Sequence, residues 1–382
     1  MRILWVSNDP RLKTGYGTQT AQVVPRLKAD GHDIAVLANA GMSGRVEEWE
    51  GVTVFPQGYD VHSNDVISAT AKFWQADQIV VLYDPWPLEP KAFAEHRTAV
   101  WCPIDRAPIP PRSADFFTRS GATPIAMSQF GARQLEARFG PVPYVPHGID
   151  MNVFRPTERQ EARRRVGLPE DRFIVGMVST NKGIAPSRKA FDVAFRTFSA
   201  FCRAVPDSLL YVHSNMIGSQ LSVDLSVLAT HYDIPPSNIV FADQFAYRVG
   251  YSDEGMALLY SAFDVLSFAT MGEGFGIPAI EAQACGTPVI CSNFSAQPEL
   301  AKTGWLVDGQ LWWDEYLKAD LFMPYDRSML DCLAQAYETC GQWDQDQVRA
   351  EIADYDADLV YDRYWRPTVS ALEPDVDPIV VP

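Results

Sequence analysis

Short apolar runs alternate with helix-patterned segments twice along this 382-residue chain, and a proline-rich stretch separates the two series. In the first series strands are expected at Ile3–Ser7, Ile34–Leu37, Val52–Phe55, Gln78–Leu82, Ala99–Cys102 and Pro124–Met127. A loop at Asp9–Gly17 leads to a helix over Thr18–Ala29 that Pro25 should kink, and a second helix at Gln129–Phe139 follows Ser128, a good N-cap. The second series predicts strands at Phe173–Val178, Leu209–His213, Ile239–Phe241 and Val265–Phe268, with helices at 189–204 and Gly255–Phe263. Strands alternating with helices build parallel sheets with helices on both faces, so the fold class is α/β with two doubly wound, Rossmann-like domains. The stretch Val142–Pro156, broken by Pro143, Pro146 and Pro156, reads as the linker. The boundaries that follow are 1–150 and 151–355, with a terminal segment 356–382. Beyond Leu306 the pattern becomes helical and acidic, with helices expected at Met329–Thr339 and Gln345–Tyr361.

Composition narrows the class. An apolar fraction of 47% supports sizeable cores. No run of about twenty apolar residues occurs, so no spanning helix is expected. The opening Met1-Arg-Ile-Leu-Trp-Val-Ser reads as a short strand rather than a leader peptide. Six cysteines without a C-x-x-C pair suggest reduced thiols and a cytoplasmic setting. The net charge of −16 is uneven: residues 1–150 carry 14 basic and 16 acidic side chains, residues 151–382 carry 18 and 32. A field of this sign opposes nonspecific attraction to nucleic acid or an anionic membrane.

The chemistry concentrates at Glu273-Gly-Phe-Gly-Ile-Pro-Ala-Ile-Glu281. An apolar strand precedes it, and Pro278 suits the first turn of a helix. The unit is strand, glycine loop, helix start. Such a turn aims backbone N–H groups at an anion, and a carboxylate on each side can grip hydroxyls. Phosphate with polyol describes a nucleotide sugar. A plainer reading is a solvated loop Glu and a Glu favoured by the helix dipole.

This segment resembles the signature of retaining glycosyltransferase family four, which has two Rossmann-like domains in the B fold. The resemblance extends to Val142–Pro156, to Ala282–Val307 and to the closing Tyr361-Asp-Arg-Tyr-Trp-Arg-Pro-Thr, and is thin over residues 40–95. It implies an acceptor-binding domain at 1–150 and a donor-binding domain at 151–355. A C-terminal helix within 356–382 would cross back to pack on the first domain through its aromatics. Glu273 would contact hydroxyls of the transferred sugar and Glu281 the ribose, while Gly274, Phe275 and Gly276 present backbone to sugar and phosphates. A leaving diphosphate needs fixed cations. Lys189 matches the family's lysine, but the arginine position falls on Asn181 or Lys182, with Arg188 the nearest replacement. Cations at a helix start are disfavoured by its dipole, which argues for an anionic partner. Asp105 stands where many members carry a histidine that touches the donor sugar.

The loop Lys13-Thr-Gly-Tyr-Gly-Thr lacks the third small residue and the later acidic residue of a dinucleotide fingerprint. In the family, Gly15 and Gly17 would let backbone approach the donor phosphates; otherwise they serve tight strand–helix packing. Asp105 and Asp84 also suit turns beside proline. His147 reads as a hinge contact, and His213 as a core group or a nucleotide neighbour. No His/Cys cluster has metal-ligand spacing. The pairs Asp344/Asp346, Asp356/Asp358 and Asp375/Asp377 read as solvated charge.

The expected function is transfer of a hexose-like sugar from a nucleoside-diphosphate sugar to an acceptor hydroxyl, with retention, without metal and without a resident cofactor. The catalytic candidates are Glu273, Asp105, Lys189 and Arg188. The donor-binding candidates are Gly15, Gly17, Asn181, Gly274, Phe275, Gly276 and Glu281. Domain closure about 147–156 would exclude water from a cleft. A nucleotide-sugar epimerase or phosphorylase on the same fold, or a non-catalytic nucleotide-sugar-binding subunit, are the other readings. The acceptor is left open among a small molecule, a glycan, a protein and modified DNA.

Overall fold

The computed structural model describes residues 1–183, 186–217 and 222–373. The chain divides into two compact units. The first comprises Met1–Gly148, Asp314–Ala319 and Ala357–Pro382; the second comprises Ile149–Trp313 and Asp320–Asp356.

In the first unit seven strands form one sheet: β1 (Arg2–Asn8), β2 (Asp33–Ala40), β3 (Glu47–Trp49), β4 (Val52–Phe55), β5 (Gln78–Leu82), β6 (Thr98–Cys102) and β7 (Thr123–Ala126). Their order is β3-β4-β2-β1-β5-β6-β7, parallel throughout except where β3 pairs antiparallel with β4. Central strands are apolar on both faces: Ile3, Leu4, Trp5 and Val6 are all inaccessible to solvent. That is what a parallel sheet covered by helices on both sides requires. The sheet therefore places the carboxyl ends of β1, β4, β5 and β6 on one edge, from which the loops relevant to ligands emerge.

The second unit contains β8 (Phe173–Val178), β9 (Ser208–His213), β10 (Ile239–Phe241), β11 (Val265–Phe268), β12 (Val289–Ser292) and β13 (Gly304–Val307), in the order β10-β9-β8-β11-β12-β13. All five neighbouring pairs of these strands are parallel. Helix Phe191–Ala204 lays Phe191, Phe195, Phe198 and Phe201 into the core. That spacing of four and three residues is one helical stripe. One buried carboxylate anchors the unit: Asp264 accepts from Arg163 Nη2 at 2.6 Å and from the Ile174 amide at 2.6 Å.

Three expectations need correction. The first helix begins at Gly15, not Thr18, because Thr14 caps it by accepting from the Gly17 amide; Pro25 lies inside a helix that continues to Ala29. Residues after Leu306 are not wholly helical, since β14 (Gly309–Asp314) and β15 (Ala319–Pro324) pair as a two-stranded sheet. Leu311, Trp312 and Trp313 favour a pleated surface, a signal that the acidic composition around them obscures. The helix expected over Gln345–Tyr361 is broken after Ala350. Tyr355 gives its carbonyl to the Ile149 amide, and Asp356 takes an extended conformation to bridge Ile149. That tertiary pairing competes with the helical bonds and wins.

The chain's return to the first unit rests on aromatics. Trp365 packs 5.5 Å from Trp5 and 4.8 Å from Trp101, centroid to centroid, and the Tyr361 hydroxyl donates to Asp30 at 2.9 Å. Arg366 adds a two-point contact to the same carboxylate. Among the described residues no helix is long and apolar enough to cross a membrane.

Candidate active site

The second unit carries the larger constellation. Strand β11 ends at Phe268, a loop carries Glu273, and helix Ile277–Ala284 starts with Pro278 in its first turn and Gly276 at its N-cap. Gly276 has φ +120°, where a side chain is strained, and a Cβ there would also crowd the Phe268 ring at 3.0 Å. Phe275 is buried against Tyr355, ring centroids 5.8 Å apart. The loop is thereby pinned on both sides of Gly274.

Glu273 is 6% exposed and its amide donates to Ser295 Oγ at 2.9 Å. Lys189 Nζ lies 2.6 Å from its Oε1, and Arg188 Nη1 lies 3.3 Å from its Oε2. Arg188 also donates to the Gly272 carbonyl. Burial pushes the Glu273 carboxyl up, but the charges of Lys189 and Arg188 more than offset that and hold it below its ordinary value. Both cations sit just ahead of Ala190, the N-cap of helix Phe191–Ala204, which has φ +50°. A non-glycine residue in that region is uncommon and turns the chain sharply. The cations' cost beside a helix start is therefore met by an internal carboxylate in this state, not by an external anion alone.

Glu281 projects from helix Ile277–Ala284 and accepts from the Tyr260 hydroxyl at 2.7 Å. Tyr260 belongs to helix Asp253–Ala262 and is fully buried. Burial first, then the Glu281 charge, raises its phenol well above the ordinary value, so it stays a donor. Tyr260 was not legible as a site residue, because in sequence it is one more apolar position on a packed helix face.

Asn181 takes a different part. Its amide donates to the carbonyls of Asn215 and Val223 at 3.0 and 2.7 Å and accepts from the Val223 amide at 3.2 Å. It ties neighbouring loops together. Lys182 is exposed beside it. His213 is buried among Tyr211, Tyr247 and Tyr251, and burial lowers its pKa to about 4.

In the first unit, Gly15 and Gly17 lie in the first helical turn. The Gly17 amide is held by Thr14 Oγ at 3.1 Å, and a Cβ on Gly17 would fall 2.2 Å from the Leu12 carbonyl oxygen. Tight packing thus accounts for Gly17. Asp105, just beyond β6, pairs with Arg106, whose Nε reaches Asp314 Oδ2 at 3.0 Å. Asp84 accepts from the Tyr16 hydroxyl at 2.9 Å. His147 is buried 4.4 Å from the Trp101 ring, centroid to centroid, and burial lowers its pKa to about 3, so it is neutral at physiological pH.

Among the described residues no three His, Cys, Asp or Glu side chains gather as a metal set. Asp344 caps helix Gln345–Ala350, Asp358 pairs with Arg26, and Asp375 and Asp377 lie outside the described residues. The cysteines form no disulfide, and five of the six are buried.

Residues 182–319 match the family model described as glycosyl transferases group 1. That stretch includes Arg188, Lys189, Tyr260, Glu273 and Glu281. The D-inositol 3-phosphate glycosyltransferase of Segniliparus rotundus is 31% identical over 180 residues, 46% of this chain and 37% of that protein. The enzyme of that name from Mycobacterium bovis is 30% identical over 194 residues, 47% of this chain and 36% of its own. The matched region thus spans little more than a third of either relative's length. Solved structures share the fold along almost the entire chain. Sucrose-phosphate synthase from Thermosynechococcus elongatus aligns with a TM-score of 0.74 at 17% identity, over 97% of this chain and 100% of that one. The Anabaena protein HepE, solved in complex with UDP-glucose, aligns at 0.66 and 16% identity over 97% and 100%. The segment that carries the Glu273 and Glu281 constellation is thus similar to the group 1 glycosyl transferases, and the two-domain glycosyltransferase B fold extends around it.

Proposed function

We propose that the protein is a retaining, metal-independent glycosyltransferase that moves a hexose-like sugar from a nucleoside-diphosphate sugar to an acceptor hydroxyl. The observation that carries this reading is the Lys189–Glu273–Arg188 arrangement, in which the segment after β8 meets the loop after β11, with Glu281 and Tyr260 on the two helices beside it. Its two cations suit a leaving diphosphate, and its two carboxylates suit sugar and ribose hydroxyls. The names of the relatives, an inositol-phosphate glycosyltransferase and a sucrose-phosphate synthase, and the UDP-glucose held by HepE favour a UDP-sugar as the first donor to try.

On this reading donor binding draws Lys189 from Glu273 toward the diphosphate, and Glu273 is released to orient the sugar. Arg188 shares the neutralisation, and backbone at Gly274–Gly276 meets the phosphates. Glu281, oriented by Tyr260, receives the ribose hydroxyls. The acceptor hydroxyl attacks the face from which the diphosphate departs, its proton passing to the leaving phosphate, so the anomeric configuration is retained. Asp105 serves as a hydroxyl acceptor for the sugar. Asn181 and Gly17 act through packing rather than through donor contact.

The test is a thermal-shift screen of the protein against UDP, GDP, ADP, TDP and CDP and their sugars, with EDTA present throughout. A ligand bound only by the folded state raises the midpoint. One nucleotide series should stabilise the wild type and fail with Glu281→Ala and Lys189→Ala. If no series shifts the protein, or shifts appear only after a divalent cation is added, the reading is wrong. The anomeric proton coupling of any transfer product decides retention.

A further inference from the structure

The first unit holds a second constellation on the ligand-binding edge of its sheet. Four rings follow one another there: Tyr16, Tyr83, His62 and Trp86, with neighbouring centroids 5.6, 5.7 and 6.3 Å apart. Tyr316, at the tip between β14 and β15, extends the string 5.7 Å beyond Trp86 and is 65% exposed. None of the five rings is fully buried. Four of them, all but Tyr316, come from segments that follow β1, β4 and β5, whose carboxyl ends face the same way. Tyr59 and Val61, on the segment that carries His62, are also exposed.

Core packing does not explain a string of half-exposed rings. Polar groups interleave with it. Asp84 bonds to Tyr16, Tyr83 meets His62 at 3.3 Å, and Asp60 accepts from the His62 and Asn64 amides. Arg106 holds the tip by Asp314, whose other oxygen accepts from the Tyr316 amide at 3.0 Å. Aromatic faces with adjoining carboxylates match the two surfaces of a pyranose: apolar C–H faces and a rim of hydroxyls.

We propose that Tyr16, His62, Tyr83, Asp84, Trp86 and Tyr316 form the acceptor subsite, and that the acceptor is an uncharged saccharide. The proposal rests on the transferase reading above and narrows its open acceptor class. Charge argues against a phosphorylated sugar. Arg106 is matched by two carboxylates, Asp105 and Asp314, and Asp60 and Asp84 add negative charge to the string, while Arg112 lies over the Trp86 ring. A dianion placed here would meet more acid than base.

Saturation-transfer NMR on the full chain tests this with methyl α-glucoside, maltose, cellobiose and a mannobiose, and with glucose 6-phosphate and inositol 3-phosphate alongside. At least one neutral saccharide should receive saturation, strongest on the protons of one ring face. Trp86→Ala and Tyr316→Ala should each weaken that binding roughly tenfold; Tyr316 is exposed enough that its loss spares the fold, and Trp86→Phe should restore part of the affinity. Binding confined to the phosphorylated sugars, no binding of any neutral saccharide, or binding indifferent to both alanine variants overturns the proposal. If the wild type still shows its nucleotide shift in those cases, the transferase reading stands and only the acceptor assignment falls.

Discussion

Lys189 Nζ sits 2.6 Å from Glu273 Oε1, and the two side chains come from the segments that follow the neighbouring strands β8 and β11. One is 14% exposed and the other 8%, so each charge relies on its partner. Removing one member strands the other in a poorly hydrated place, at a cost of about 3–5 kcal/mol for a buried pair. Lys189→Met should therefore destabilise the protein more than Lys189→Met combined with Glu273→Gln. Urea unfolding of the four proteins in the cycle measures the coupling. Equal destabilisation by the single and double variants would show that Arg188 alone satisfies Glu273.

The Tyr260 hydroxyl and Glu281 give a finer test of the donor site. Tyr260→Phe removes a 2.7 Å bond to the carboxylate and leaves the buried ring in place. A hydrogen bond to a charged group is worth about 1.5–3 kcal/mol. If Glu281 grips the ribose, nucleotide affinity should fall roughly tenfold while turnover at saturating donor stays close to wild type. A drop in turnover with unchanged affinity would place Tyr260 elsewhere in the reaction.

The strand–helix series was legible because both large sheets are parallel but for β3, and buried parallel strands appear as short apolar runs such as Ile3–Val6 and Ile79–Leu82. Glu273 and Glu281 were legible because a glycine loop and a helix-start proline bracket them. Tyr260 and the ring string were not. Their partners lie far apart in sequence, and an isolated Tyr or Trp gives no sign of which ring it will meet. The role of Asn181 was hidden for a similar reason: its amide is consumed by Asn215 and Val223, 34 and 42 positions away. The break after Ala350 depends on Ile149, about two hundred residues earlier, so local helix propensity could not reveal it.

Two buried histidines set an acid limit on stability. Burial lowers His213 to about 4 and His147 to about 3, against 6.5 for the unfolded chain. Between those values the unfolded state binds protons that the folded state does not, so stability falls as the pH drops below about 6.5. The slope is about 1.4 kcal/mol per pH unit for each fully titrating histidine. His32 and His96 shift the same way through burial. His213→Phe should flatten the loss between about pH 6.5 and 5 by one proton, as read from melting midpoints on the two proteins. An unchanged slope would mean that His213 titrates normally in the folded protein. Among the described residues the buried His213 Nδ1 has no hydrogen-bond partner, so Phe forfeits no bond seen there.

Asp264 separates structural charge from the charge of the proposed donor site within the same unit. Its Oδ2 accepts from Arg163 and from the Ile174 amide, both at 2.6 Å, and its Oδ1 faces Arg159 at 3.2 Å. It anchors the start of β11 to β8 and to helix Arg159–Val166, and although it precedes Glu273 by only nine positions its partners are Arg163, Ile174, Arg159 and Cys340. Asp264→Ala leaves Arg163 buried without its carboxylate and exposes no compensating partner. The expected loss is about 3–5 kcal/mol, enough to lower the urea midpoint markedly. Where the variant remains folded, at low temperature or with stabilising osmolyte, its nucleotide thermal shift should match the wild type. A variant of normal stability that has lost the shift would mean that Asp264 acts on the donor through the Glu273 loop, and would move it from scaffold to site.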